Sequence, residues 1–181
     1  MSAPAIALNV SVEEYLHNPA YAHSEYVGGR VVQRAMGTKD HGRIQGRCYR
    51  KLDEYFDSHP GGYAAVELHC RFSIDGELRF RLPDVCAVLE RDGDAESPYL
   101  ERSPDLVVEV RSPEDALSDI LRKLDEYFEA GCRLAWVVLP EESAVMVRTA
   151  DGRVQAVKKG ERLLGGDALP GLEIELDELF R

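Results

Sequence analysis

Two acidic side chains stand in neighbouring apolar runs of this 181-residue chain, and a lysine follows on the next helical stretch. Asp84 opens Pro83-Asp84-Val85-Cys86-Ala87-Val88-Leu89. Glu109 interrupts Pro104-Asp105-Leu106-Val107-Val108-Glu109-Val110, and Lys123 lies in Leu121-Arg122-Lys123-Leu124. A carboxylate among valines is expected to be buried, and a buried, unpaired charge costs several kcal/mol or is forced to take up a proton. A divalent cation with a lysine beside it offsets that cost. Such a cation lowers the pKa of a bound water and stabilises charge on a phosphate, so the chemistry implied is metal-assisted cutting of a phosphodiester. Magnesium suits the pattern because it prefers oxygen ligands, keeps several waters and needs only one or two protein carboxylates. Without a cation, two converging carboxylates repel, and the pKa of one must rise.

The elements that would position these groups can be read from periodicity. Side chains alternate along a strand, so Leu106, Val108 and Val110 face one way while Val107, Glu109 and Arg111 face the other. Asp84 meets Glu109 if the two runs pair. Lys123 lies about 40° around the helix axis from Tyr127, at the margin of the apolar stripe Leu117, Ile120, Leu121, Leu124, Tyr127 and Phe128. From there it can lean over the sheet. This helix is predicted to start at Ser112-Pro113-Glu114-Asp115, with Ser112 as N-cap, and to stop at Gly131.

Upstream, Ser11-Val12-Glu13-Glu14 reads as a capping box for a short helix ending near His17. Glu25 to Val32 reads as a hairpin turning on Gly28-Gly29. A long helix is expected from about Lys39 to Asp57. Ile44, Cys48, Leu52 and Tyr55 form its apolar face, His41 lies on the same face, and Arg43, Arg47 and Arg50 lie opposite. Three extended segments follow: Tyr63 to Phe72, Pro83 to Leu89 and Asp105 to Val110, with Asp75-Gly76 turning between the first two. Glu90 to Ser103 reads as a loop. Leu134 to Leu139 reads as a buried strand holding the only tryptophan, Trp136. Ala144 to Arg148 and Val154 to Val157 form a hairpin around Asp151-Gly152, and the tail ends in a turn and a short apolar segment. The fold class expected is α/β with a mixed central sheet flanked by helices. It forms a single domain over 1–181: an N-terminal helix and hairpin (1–38), a core (39–140) and a C-terminal hairpin extension (141–181).

Composition narrows the field. A hydrophobic fraction of 44% and a charged fraction of 30% are ordinary for a globular domain. No stretch approaches the roughly 18 apolar residues of a membrane span. The start, Met1 to Ile6, lacks the basic and apolar regions of a signal peptide, so a cytoplasmic location is expected. The four cysteines are widely spaced without a Cys-x-x-Cys pair, which disfavours zinc or a disulfide framework. A formal charge of −11 argues against gripping nucleic acid by bulk electrostatics, although only one face need be basic.

Together, Pro83-Asp84, Glu109 on the next strand and a following lysine resemble the PD-(D/E)XK nuclease superfamily. Within it, Pro104 to Pro113, the Lys123…Tyr127…Gly131 spacing and Leu169-Pro170-Gly171-Leu172 resemble the Uma-type restriction endonuclease family, over nearly the whole chain from Glu25 to Phe180. The resemblance implies a restriction-endonuclease-like core, a Mg²⁺- or Mn²⁺-dependent endonuclease acting on DNA, and a homodimer. It implies that Asp84 and Glu109 are metal ligands. Arg111 occupies the motif's usual lysine position, and Lys123 matches the migrated position seen in related families. Glu25 matches an N-terminal acidic hairpin, and His41 a histidine at the start of the long helix.

Other readings compete. Asp84 could cap a turn, Glu109 could pair with Arg111 or Lys123, and His41 could be a core histidine. Glu67 is a further acid that could face the cleft, and Arg43, Arg47, Arg50, Arg71, Arg79 and Arg81 could bind phosphates or simply be solvated. The main alternative is a nuclease-like scaffold that binds nucleic acid or protein without cutting. Glycoside hydrolysis by paired carboxylates is a third reading, weakened by Lys123 and the single tryptophan.

Overall fold

Strands buried on both faces read as unbroken apolar runs, and the runs around Asp84 and Glu109 lie at the centre of the fold. The structure, a computed structural model, describes residues 5–34 and 37–181; Met1–Pro4, the start read above for a leader, lie outside them. In chain order the elements are β1 (Ala5–Leu8), α1 (Val12–His17), β2 (Ser24–Val27), β3 (Arg30–Gln33), α2 (Lys39–Ser58), β4 (Gly62–Val66), β5 (Cys70–Ile74) and β6 (Glu77–Arg81). Then come β7 (Val85–Leu89), β8 (Leu106–Val110), α3 (Leu117–Glu129), β9 (Leu134–Leu139), β10 (Ala144–Thr149), β11 (Val154–Val157), β12 (Arg162–Leu164) and β13 (Glu173–Glu175).

Six strands form the central sheet, in the order β11-β10-β9-β8-β7-β4. Only β8 and β9 run parallel within it, and α3 is the crossover that joins them. On one face α2 buries Ile44, Cys48, Leu52 and Phe56 against Val85, Ala87, Leu106, Val108 and Trp136. On the other, α3 buries Ile120, Leu124 and Tyr127 against Cys86, Val88, Val107, Ala135 and Val137. The alternation expected along β8 is therefore observed, with Val107 and Glu109 on the α3 side. Phe56 completes the buried α2 stripe, and the expected Tyr55 packs, partly buried, against the same cluster. The C-terminal ribbon β12–β13 and the residues after it, which the sequence shows only as a turn and an apolar segment, add Leu163, Leu169, Ile174, Leu176 and Leu179 to the α2 side.

A second, fully antiparallel sheet runs β1-β3-β2-β6-β5. Here the sequence reading needs correction. Tyr63 to Phe72 is not one strand: it breaks at Glu67, whose φ of +48° is left-handed, and the chain leaves the central sheet as β4 and enters the second as β5. The Asp75-Gly76 turn, with both residues at positive φ, closes β5 onto β6 rather than onto the strand after Asp84. Both positions need that geometry in a two-residue hairpin, which is what Asp-Gly supplies. The helix after Glu109 also starts later than expected. Asp115 turns its carboxylate back to the Ser112 N–H at 2.9 Å and donates its own N–H to the Ser112 carbonyl, so Ser112–Asp115 is a closed turn and α3 begins at Leu117. Elsewhere the N-cap expected at Ser11 is present, its hydroxyl accepting from the Glu14 N–H at 3.1 Å. Among the described residues, no helix is long and apolar enough to cross a membrane.

Candidate active site

Register brings the two acids together. Val85 on β7 lies opposite Val108 on β8, and the Val110 N–H donates to Asp84 Oδ2 at 2.7 Å, so Asp84, just before β7, stands beside the Glu109 end of β8. Both carboxylates are buried. Each lines a cavity of about 490 Å³ that also receives Glu25, Arg34, His41, Glu67 and Lys123. All five residues expected at a site, with Glu67, thus face one space.

Each side chain arrives on a different element. Lys123, in α3, crosses to the sheet and places its Nζ 2.7 Å from Glu109 Oε1, 2.7 Å from Glu25 Oε1 and 3.2 Å from the Leu82 carbonyl. Glu25 comes from the second sheet. The β2–β6 register pairs Tyr26 with Phe80, which puts Glu25 opposite Arg81; Arg81 Nη1 is 2.6 Å from Glu25 Oε2, and the Leu82 N–H donates to Oε1 at 3.0 Å. His41 sits in the first turn of α2, which Thr38 caps by accepting the His41 N–H at 3.2 Å. Its Nε2 lies 3.2 Å from Asp84 Oδ2. The Val110 N–H donates to the same oxygen at 2.7 Å, and Gln45 Nε2 donates to the Asp84 carbonyl at 2.9 Å. Arg34, just past β3, bonds to Asp84 Oδ1 and holds Glu67 Oε1 at 2.9 Å through Nη1.

Proton affinities follow from this wiring. Burial pushes the Glu109 carboxyl up, Asp84 and Glu25 add to the push, and Lys123 opposes it; the result is about 7. Burial would also raise Glu25, but Lys123, Arg81 and the Leu82 N–H outweigh it and bring Glu25 down to about 2. One ammonium serves two carboxylates, and Glu25 has an arginine as well, so the under-compensated acid is Glu109. Consistently, Glu109 Oε1 has no well-aligned hydrogen-bond donor among the described residues, although the Lys123 charge lies close. Burial lowers the Lys123 pKa, yet Glu109 and Glu25 more than offset this and keep it charged. For His41, the hydrogen bond to Asp84 outweighs burial and raises its pKa. Burial works against the Asp84 carboxylate, but the bond to His41 and the Arg34 charge hold its pKa below the ordinary value.

Several basic residues have other employment. Arg111 does not reach the acids: its Nε donates to the Asp115 carbonyl at 3.3 Å and its Nη1 is 3.6 Å from Glu142. Arg79 and Arg81, offered above as phosphate binders, are buried against Glu25 and Glu126. On α2, Arg43 and Arg47 donate to the backbone carbonyls of Arg181 and Leu179, and Arg50 pairs with Glu54. The sequence reading missed Arg34 altogether. Its acidic partner lies 50 residues away, beyond the reach of any local pattern.

A mixed sheet clasped between α2 and α3, with acids on adjoining strands and a lysine on the crossover helix, is a restriction-endonuclease-like core. The chain belongs to the Uma2 family, described as "Putative restriction endonuclease", which matches residues 12–177. Among solved structures it is similar to a "putative nuclease belonging to DUF820" from Anabaena variabilis ATCC 29413. The two superpose with a TM-score of 0.80 at 21% identity, covering 94% of this chain and 97% of that one. At that identity the likeness is one of fold. No curated protein matches the chain.

Proposed function

We propose that this protein is a Mg²⁺- or Mn²⁺-dependent endonuclease that hydrolyses DNA phosphodiester bonds in the cavity at Asp84 and Glu109. The observation that carries the reading is the meeting of these two buried carboxylates in one cavity with the Lys123 ammonium 2.7 Å from Glu109. The residues fit a divalent cation. Two hard oxygen donors adjoin, and one of them is a buried carboxylate whose charge its neighbours do not fully balance. Among the described residues no three His, Cys, Asp or Glu side chains converge as a ready-made metal cage, but magnesium asks for only one or two carboxylates and completes its shell with water. Asp84 and Glu109 would hold the ion, which when bound activates water and offsets charge on the phosphate.

The chain's own groups divide the remaining work. Lys123 stays protonated between Glu109 and Glu25, so it can orient the attacking water and balance charge gathering on the scissile phosphate. Glu25 fixes Lys123 in place, and His41 and the Val110 N–H steady the Asp84 carboxylate. A homodimer would give each DNA strand its own site, which light scattering of the purified protein tests. Plasmid cleavage with Mg²⁺ or Mn²⁺ tests the activity. Asp84→Asn, Glu109→Gln and Lys123→Ala should each reduce cutting by on the order of a hundredfold or more. Equal cutting by wild type and all three variants would assign the activity to a contaminant and end the proposal.

One observation favours a second reading, a scaffold that binds nucleic acid or protein without cutting. The cavity carboxylates Glu25, Glu67, Asp84 and Glu109 each already have a basic side chain against them. Isothermal titration with Mn²⁺ separates the two, because a scaffold has no need of metal at the acids.

A further inference from the structure

Both Asp84 oxygens already face a donor. Oδ1 is bonded to Arg34 Nη2, and Oδ2 accepts from the Val110 N–H while facing His41 Nε2. Arg34 does more than pair with one acid. Its Nη1 reaches Glu67 Oε1 at 2.9 Å, so a single guanidinium bridges carboxylates at adjacent ends of the central sheet. Its side chain is only 18% exposed, and besides Asp84 and Glu67 it feels the charges of Glu109 and Glu25. It approaches from the end of β3, in the second sheet, and so belongs to neither strand nor helix of the Asp84–Glu109–Lys123 frame. A planar cation with fixed donors is well matched to two carboxylates, and it lies where a metal held by Asp84 would need an oxygen.

We propose that Arg34 is a resident counter-cation at Asp84 that a divalent metal must displace, so that this residue sets the metal affinity of the site. The inference rests on the metal reading above and adds a competitor to it. A metal ion and the guanidinium at Asp84 Oδ1 repel each other and compete for the charge of the same carboxylate. A site whose competent form is only a fraction of the population binds more weakly by that fraction. On leaving Asp84 the guanidinium still has Glu67 within reach, so displacement does not strand a buried charge. The arrangement keeps Asp84 and Glu67 paired while no metal is bound.

Isothermal titration of the full chain with Mn²⁺ tests this. Arg34→Gln should bind Mn²⁺ at least about tenfold more tightly than wild type. Arg34→Lys, which keeps the charge but loses the fork, should fall between them. Adding Asp84→Asn to Arg34→Gln should abolish the gain. Tighter binding by Arg34→Gln, including the case where wild type binds too weakly to measure, supports the inference. Equal or weaker binding, or a gain that survives Asp84→Asn, overturns it and leaves the metal reading standing. No binding by any variant overturns both. Should Arg34→Gln fail to fold, Mg²⁺ titration of wild type followed by arginine side-chain NMR gives the answer. The Arg34 Nε–H resonance should move in step with saturation monitored at the Val110 amide; an Arg34 signal that stays put while that amide saturates overturns the inference.

Discussion

Strand β8 is bracketed by two buried acids that live in opposite circumstances. Asp105, just ahead of the strand, is 1% exposed; Glu109, near its end, is 7% exposed. Asp105 is fully engaged: its Oδ2 accepts the Leu89 N–H at 3.0 Å and lies 3.2 Å from Arg102 Nη1, while Oδ1 is 2.7 Å from Arg91 Nη2. Arg102 is itself anchored by Asp94 at 2.8 Å and by the Leu89 carbonyl at 2.7 Å. Two guanidiniums and a backbone donor therefore serve one carboxylate. At the other end, one lysine serves two carboxylates, and Glu109 is left near neutral pH in its titration. Burial alone does not mark a reactive acid. The mark is burial without enough compensation, beside a space that something can enter.

Exchanging the two roles should give the largest effects. Glu109→Gln is expected to lower metal-dependent cleavage by on the order of a hundredfold while leaving stability at pH 8 no lower than wild type, since the fold already disfavours the Glu109 charge. Asp105→Asn should do the reverse, costing about 3 kcal/mol of stability with cleavage per folded molecule nearly unchanged. Denaturation midpoints and cleavage rates measured on the same preparations would show it; parallel losses in both variants would erase the distinction between the two ends.

The pH dependence of stability sharpens the contrast within the site. The Glu109 pKa rises from 4.5 to about 7 in the fold, so its protonated form supplies stability that is complete below pH 4.5 and lost as pH climbs through 7. That swing is up to about 3 kcal/mol. The Glu25 pKa falls from 4.5 to about 2, so its contribution stands above pH 4.5 and disappears as acid approaches pH 2. Urea melts at intervals from pH 2 to 8 should show Glu109→Gln flattening the upper limb and Glu25→Gln the lower. A Glu109→Gln profile that still declines between pH 5 and 7 as steeply as wild type would remove Glu109 as the source. The smallest effect is expected at Thr38→Ala. Loss of the α2 cap should cost about 1 kcal/mol, visible as a modest drop in thermal midpoint, and a larger loss would mean that Thr38 does more than hold the first turn carrying His41.

The central frame was legible in the sequence because local signals specify it. Unbroken valine runs mark β7, β8 and β9, a 3.6-residue stripe marks α3, and strand alternation alone puts Glu109 on the α3 face. What the sequence conceals depends on partners far along the chain. β6 does alternate, with Leu78 and Phe80 between Glu77, Arg79 and Arg81, but the burial of its arginines against Glu25 and Glu126 comes from partners distant in the chain that no local pattern shows. Glu67 looks like one more residue of an extended run until its left-handed backbone turns the chain into another sheet. Ser112-Pro113-Glu114-Asp115 carries every mark of a helix start, yet the Asp115 carboxylate closes the turn on Ser112 instead.

Within the second sheet the β2–β3 hairpin joins β6 narrowly. β2 meets β6 through only two paired positions, Tyr26 with Phe80 and Val27 with Arg79, whereas β8 is laddered to β9 over five. Amides along β2 should therefore trade their hydrogens with solvent well before those of β8. The hairpin that delivers Glu25 and Arg34 leans on a two-position ladder, so it should be the first part of the cavity wall to open, with the Arg81 and Lys123 pairs to Glu25 as its remaining ties.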